Sequence, residues 1–165
     1  MSLIHHIIRP EEGDHFLNLG AHVSIKVPGE ATGGQFALIE HTVPPQAGPP
    51  PHAHAETEVL YILSGHFEVL VASERAEVGP GTIIHVPPQT LHTTRNIGHS
   101  AGRQLSLYLP GGAEGFFREA GTPVTDLRNL PNLDAPTNLA DVDVPRVLRI
   151  AKKYGMQVGA ESDQA

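Results

Sequence analysis

The stretch Gly48-Pro-Pro-Pro-His52-Ala-His54-Ala-Glu56-Thr-Glu58-Val-Leu-Tyr-Ile-Leu-Ser-Gly65 decides how this chain is read. His52, His54 and Glu58 share one parity, so on an extended backbone their side chains leave the same face. That face continues through Leu60 and Ile62, which sets three polar groups at the mouth of an apolar interior. Two imidazoles and a carboxylate so placed read as half of a metal site. The second half is assigned to Gly81-Thr-Ile-Ile-His85-Val-Pro87-Pro-Gln89-Thr-Leu-His92-Thr-Thr-Arg-Asn96, where His92 follows a glycine turn and a proline pair in a run rich in β-branched residues. The chain has no cysteine, so any metal must rest on imidazole and carboxylate. Such donors suit one divalent transition metal among Fe, Mn, Co, Ni, Cu and Zn.

Together the two stretches resemble the paired motifs of the cupin superfamily. His52, His54, Glu58 and Gly65 fall at the spacing of the first motif, and Gly81, Pro87, His92 and Asn96 at that of the second. Two departures stand out: Gly48 lies closer to His52 than the family spacing has it, and Gln89 replaces the middle glycine of the second motif. Glycine at such a place serves a positive φ or a close backbone approach, so Gln89 marks a turn of unusual geometry. The resemblance implies a metal ion held by His52, His54, Glu58 and His92, in an all-β double-stranded β-helix, the jelly-roll barrel. Glu56 shares the parity of Glu58 and is read either as an acceptor that orients a ligand histidine or as a solvated acid. His41, His66 and His85 have no matching spacing and are read as satisfied strand or turn residues, as are His15, His22 and His99.

At 165 residues the chain is long enough for one domain with a real core and short for two, so a single domain over residues 1–165 is expected. With 17 Gly and 15 Pro, turns are frequent, which favours an all-β architecture. A net charge of −7 with only 11 scattered Lys and Arg speaks against a nucleic-acid surface. No apolar run approaches the roughly 20 residues of a membrane span, and Met1-Ser-Leu-Ile-His-His lacks the basic flank and apolar core of a signal peptide. The expected compartment is the cytoplasm.

Alternation over Leu17–Val27 predicts one half-buried strand, with others over Phe36–Val43, Glu58–Leu63, Phe67–Ala72, Thr82–Val86, Leu91–Ile97 and Arg103–Leu109. A polar turn is expected near Ser73–Arg75, and a stiff proline loop delivers His52. His5 and His6 sit in a polar arm. Tyr108 and Arg103 lie on opposite faces of the last strand and are read as cross-strand packing. Barrel strands thus span about 17–110. A helical extension over about 112–156 follows, with a short helix at Glu114–Ala120 stopped by Gly121 and another capped by Asp143. Residues 122–137 read as a surface strap, and 156–165 as a frayed tail.

The tail after Tyr108 is similar to those of small single-domain cupins related to quercetin 2,3-dioxygenase. That resemblance implies a small-molecule substrate and a metal-dependent dioxygenase acting on an enolic or phenolic compound, with Glu58 as the catalytic base. The alternatives are a binding or sensing module without turnover and an isomerase, for which no His/Tyr pair can be placed from sequence. A homodimer is expected, because the outward face of Val59, Tyr61 and Leu63 leaves apolar area that a monomer does not cover.

Overall fold

The computed structural model describes residues 7–159, so the expectations for His5, His6 and the tail beyond 159 lie outside the described residues. Twelve strands and two helices follow in order: β1 (Asp14–Asn18), β2 (Ala21–Val27), β3 (Ala37–Val43), β4 (His52–Ala53), β5 (Thr57–Ser64), β6 (Phe67–Val71), β7 (Glu74–Val78), β8 (Ile83–Val86), β9 (His92–Asn96), β10 (Gly102–Leu109), α1 (Glu114–Ala120), β11 (Thr122–Pro123), α2 (Val144–Lys153) and β12 (Gln157–Val158). One sheet runs β11-β1-β2-β3-β10-β5-β8 and the other β12-β4-β9-β6-β7, with antiparallel pairing throughout. This is the jelly-roll barrel. The chain passes between sheets after β3, β4, β5, β7, β8, β9 and β11, which is how consecutive sequence comes to wall a cavity from both sides.

Alternating inward residues make the core. Val43, Leu60, Ile62, Phe67, Val69, Ile84 and Val86 fill the space at one end, and Phe16, Val23, Ile25, Ile39, Tyr108 and Ala113 at the other. A third cluster joins α1 to α2 through Phe116, Ala120, Val147, Ile150 and Ala151. Helix α2 begins as its sequence directs, with the Asp143 carboxylate accepting from Arg146 N–H at 2.9 Å and Pro145 in the first turn. Its buried stripe is Val147, Ile150 and Ala151, while Leu148 is 39% exposed.

The structure corrects several expectations. Leu17–Val27 is a hairpin and not one strand, because Leu19 (φ 49°) and Gly20 (φ 81°) form a two-residue turn of left-handed residues. Phe16 pairs with Val23 and Asn18 with Ala21, so even positions face inward in β1 and odd ones in β2. The expected polar turn at Ser73–Arg75 opens into β7, a sheet-edge strand exposed along nearly its whole length, and therefore without alternation to reveal it. Gln157 and Val158 are not frayed; they pair with Ala53 and His52 and close the edge beside β4.

The proline loop is tied down by Asn96. Its side-chain amide donates to Val43 O at 2.8 Å and Ser100 O at 2.9 Å, and its backbone exchanges hydrogen bonds with Gln46 and Ala47 at 2.8 Å each. Gly48 lies against the Thr94 and Arg95 backbone, where a Cβ would collide. The second motif thereby fixes the loop that delivers the first.

Candidate metal centre

His52 and His92 are direct partners across β4 and β9, and their rings lie 4.4 Å apart between centroids. His54 leaves the end of β4 with its ring 4.9 Å from that of His92. One ring nitrogen from each of the three histidines falls within 4.8 Å of the others, in a setting where His54 and His92 are only 3% exposed. Glu58 arrives from the opposite sheet as the first inward residue of β5. The extended run expected to present His52, His54 and Glu58 on one face is two elements in two sheets, and the three meet because the sheets face one another. Glu58 Oε2 stands 3.2 Å from His54 Nε2 and 3.1 Å from His92 Nε2.

The hydrogen bonds on the far side of the rings determine what these nitrogens can do. His52 Nδ1 contacts Pro50 O at 2.9 Å and His92 Nδ1 contacts Thr90 O at 2.8 Å. A carbonyl only accepts, so both Nδ1 atoms carry a proton, and in the neutral ring it is Nε2 that presents the lone pair. Between His92 Nε2 and Glu58 Oε2, 3.1 Å apart, there is a place for a metal ion held by both or, in its absence, for a shared proton. The donor set therefore fits a metal ion: three imidazoles can hold one, and an anionic oxygen lies beside two of them. His54 Nδ1 lies 3.3 Å from Glu56 Oε2, an ion-pair contact without hydrogen-bond geometry, which sets Glu56 beside the ring of a donor histidine.

Without a metal, a proton does the work of the cation. Burial opposes charging His54, but Glu56 and Glu58 beside its two nitrogens override it and raise its pKa to about 9. His52 goes the other way, to about 4, because burial and then repulsion from His92 disfavour its charge. Burial alone would raise Glu58, yet hydrogen bonds from His54 and His92 hold its carboxyl well below the usual carboxylate range. Tyr108, the cross-strand partner of Glu58, is pushed well above the usual phenol value by burial and then by that neighbouring charge.

A cavity of about 130 Å³ opens onto His52, Glu58 and His92. Its walls are apolar, with Val23, Leu60, Phe116 and Phe117 from the barrel and α1, and Val147 and Met156 from the C-terminal segment. Of the other histidines, His66 pairs with Glu77 at 3.2 Å on the surface, His85 is exposed, and His15 stacks on His22. Arg103 faces outward and binds Glu40 at 2.7 Å. Tyr108 faces the cavity, so it does more than the cross-strand packing expected of it.

His41, Gln104 and Asn18 also line the cavity; His41 was read from sequence as a satisfied strand residue, and Gln104 and Asn18 were not singled out. The signal was present for two of them. His41 continues the inward row of Ala37, Ile39 and Val43, and Gln104 the row of Ser106 and Tyr108. Burial lowers the pKa of His22 and of His41 to about 4. A depressed native value means that the unfolded chain binds protons first as pH falls, so stability is full above pH 6.5 and is lost progressively towards pH 4. Melting temperature should drop across that window, and a flat profile would contradict neutral, buried imidazoles.

Residues 39–108 match the family described as Cupin domain. Among curated proteins, the chain is 29% identical over 119 residues to quercetin 2,3-dioxygenase of Bacillus subtilis, covering 72% of this chain. It spans only 35% of that protein's length. Among solved structures, KdgF from Halomonas superposes with a TM-score of 0.60 at 18% identity, over 68% of this chain and 99% of that one. An RmlC-like cupin from Shewanella frigidimarina gives 0.59 at 18%, over 68% and 96%, and a predicted oxalate decarboxylase from Thermotoga maritima gives 0.59 at 18%, over 64% and 99%. At these identities the structural likeness shows the fold alone.

Proposed function

With residues 39–108 a cupin domain, we propose that this chain is a metal-dependent dioxygenase acting on a small enolic or phenolic compound. The observation that carries this reading is the convergence of three imidazole donors and Glu58 at the end of an apolar cavity. The likeness to a quercetin 2,3-dioxygenase supports the reaction class. A three-ring flavonol exceeds the cavity as it stands, since about 150 Å³ is filled by benzene alone; the substrate is scaled to about one ring.

His52, His54, His92 and Glu58 would hold the ion, one of Fe, Mn, Co, Ni, Cu or Zn. A redox-active ion bound there supplies polarisation of a substrate oxygen and a route for electrons to dioxygen. Glu56 keeps His54 oriented. With an ion held at the three imidazoles, their Nε2 atoms would carry no proton for Glu58, and its carboxylate would take the substrate's hydroxyl proton. Tyr108 stays protonated beside it and can donate to the resulting oxyanion. Phe116 and Phe117 give the ring an apolar bed and exclude water.

A second reading has an observation of its own: Tyr108 and His41 both line the cavity, the acid–base pair that an isomerase requires. Oxygen uptake during a screen of phenolic and enolic compounds, on protein whose metal content is known, separates the two. Turnover without oxygen consumption favours the isomerase; binding without turnover favours a sensing module. Chelator should lower the melting temperature of metal-loaded protein by the linkage of binding to folding. An unchanged melting temperature in protein shown to contain metal would place the ion outside this site.

We also propose a two-fold dimer. Tyr61 and its cross-strand partner Ile83, at the β5–β8 edge, are 41% and 65% exposed and leave apolar area beside an open strand. Light scattering at micromolar concentration should give the dimer mass and Ile83→Glu the monomer; a monomeric wild type removes the proposal.

A further inference from the structure

Among the described residues, three buried polar atoms on residues that line the cavity have no hydrogen-bond partner: Asn18 Oδ1, His41 Nε2 and Gln104 Oε1. Their residues are 7%, 8% and 6% exposed, which places them out of reach of bulk water. His41 and Gln104 are direct cross-strand partners on β3 and β10, yet they do not bond one another. An unpaired polar atom in such a place costs stability, and an apolar side chain of the same shape would not. Gln104 pairs with Ile62 on β5, whereas Tyr108 pairs with Glu58. Gln104 therefore enters the cavity two inward positions along β10 from Tyr108, at a different level from Glu58.

We infer that His41 and Gln104, with Asn18 nearby, form a polar subsite in the cavity apart from the metal donors, where they bind a second oxygen of an uncharged substrate. The inference rests on the proposed reading of the cavity as a substrate site. A hydroxyl matches best, because it donates to an amide oxygen and accepts or donates at an imidazole nitrogen. A carboxylate or phosphate does not match. Among the described residues that line the cavity there is neither Lys nor Arg, and burial keeps His41 uncharged. The substrate class is thus a neutral, ring-sized compound with two oxygens, one directed to the histidines and Glu58 and one to His41 and Gln104.

Calorimetric titration with phenol, resorcinol and 3-hydroxybenzoate tests this on the wild type and on Gln104→Leu and His41→Phe. Wild type should bind resorcinol about tenfold more tightly than phenol, the scale of one added hydrogen bond, and 3-hydroxybenzoate more weakly than resorcinol. Gln104→Leu should bring the resorcinol-to-phenol ratio near one with phenol binding kept, and His41→Phe should reduce the ratio if Gln104→Leu fails to fold. Gln104→Leu should also melt at an unchanged temperature or roughly 2–4 °C higher. A wild-type ratio near one, tighter binding of 3-hydroxybenzoate, no binding of phenol and resorcinol, or a variant that keeps the ratio overturns the subsite. So does a melting temperature several degrees lower in Gln104→Leu, the mark of a group already satisfied. Discrimination without oxygen uptake would remove the dioxygenase reading and leave the subsite standing, and uptake without discrimination would do the reverse.

Discussion

Replacing Glu58 with Gln should lower turnover by about 10²-fold or more while most of the metal stays bound. Glu58 is 3% exposed and its Oε2 lies within 3.2 Å of both His54 and His92. Gln keeps that shape and an oxygen donor, and the three imidazoles remain. What disappears is the charge and nearly all of the basicity, at the one carboxylate among the described residues that both touches the donor histidines and lines the cavity. Elemental analysis and oxygen uptake on the same preparation check the prediction. Turnover equal to wild type would end the assignment of Glu58 as base. Loss of metal on the scale of a histidine variant would make Glu58 chiefly a ligand.

His54→Ala should lose metal and activity together, with affinity reduced by more than the 10–100-fold that follows loss of a supporting group. The variant removes a donor nitrogen and also strands Glu58, which is left buried with His92 as its one imidazole partner. Breaking such a buried pair costs about 3–5 kcal/mol, so the metal-free variant should melt lower at neutral pH. Its pH dependence gives a second check. The His54 pKa is raised to about 9, so the native state of metal-free wild type holds a proton that the unfolded chain releases above pH 6.5. That contribution is full below pH 6.5 and is lost as pH climbs towards 9. Wild type should lose stability over this range, and His54→Ala should lose much less. Identical slopes would mean that His54 is not the group holding the proton.

The individual strands were legible wherever one face is buried and the other wet, because alternation records that asymmetry directly. β3, β5 and β10 follow their sequence pattern for this reason. β7 left no such record, being exposed along nearly its whole length, and the Leu19-Gly20 turn hid because apolar residues stand at odd positions on both sides of it. Gln89 adopts φ 59°, the left-handed geometry that its place in a glycine position foretold, and it is held there by a hydrogen bond from its N–H to His54 O at 2.7 Å.

The sequence by itself determined the donor types and their local reach: His52, His54, Glu58 and His92 were nameable from spacing and resemblance, and the lack of cysteine limited their chemistry. Only the tertiary structure decided how they meet and what else meets them. β4 and β9 bring two histidines side by side in one sheet, while Glu58 crosses from the other. His41, Gln104 and Tyr108 come from strands separated in sequence by more than fifty residues, and Asn18 from a hairpin whose register depends on a single turn. A local pattern reports whether a side chain points inward, since that depends only on the backbone's period of two. Which inward side chains share a cavity depends on the order of strands in two facing sheets, and that order is set by long-range pairing and the packing of the core between them.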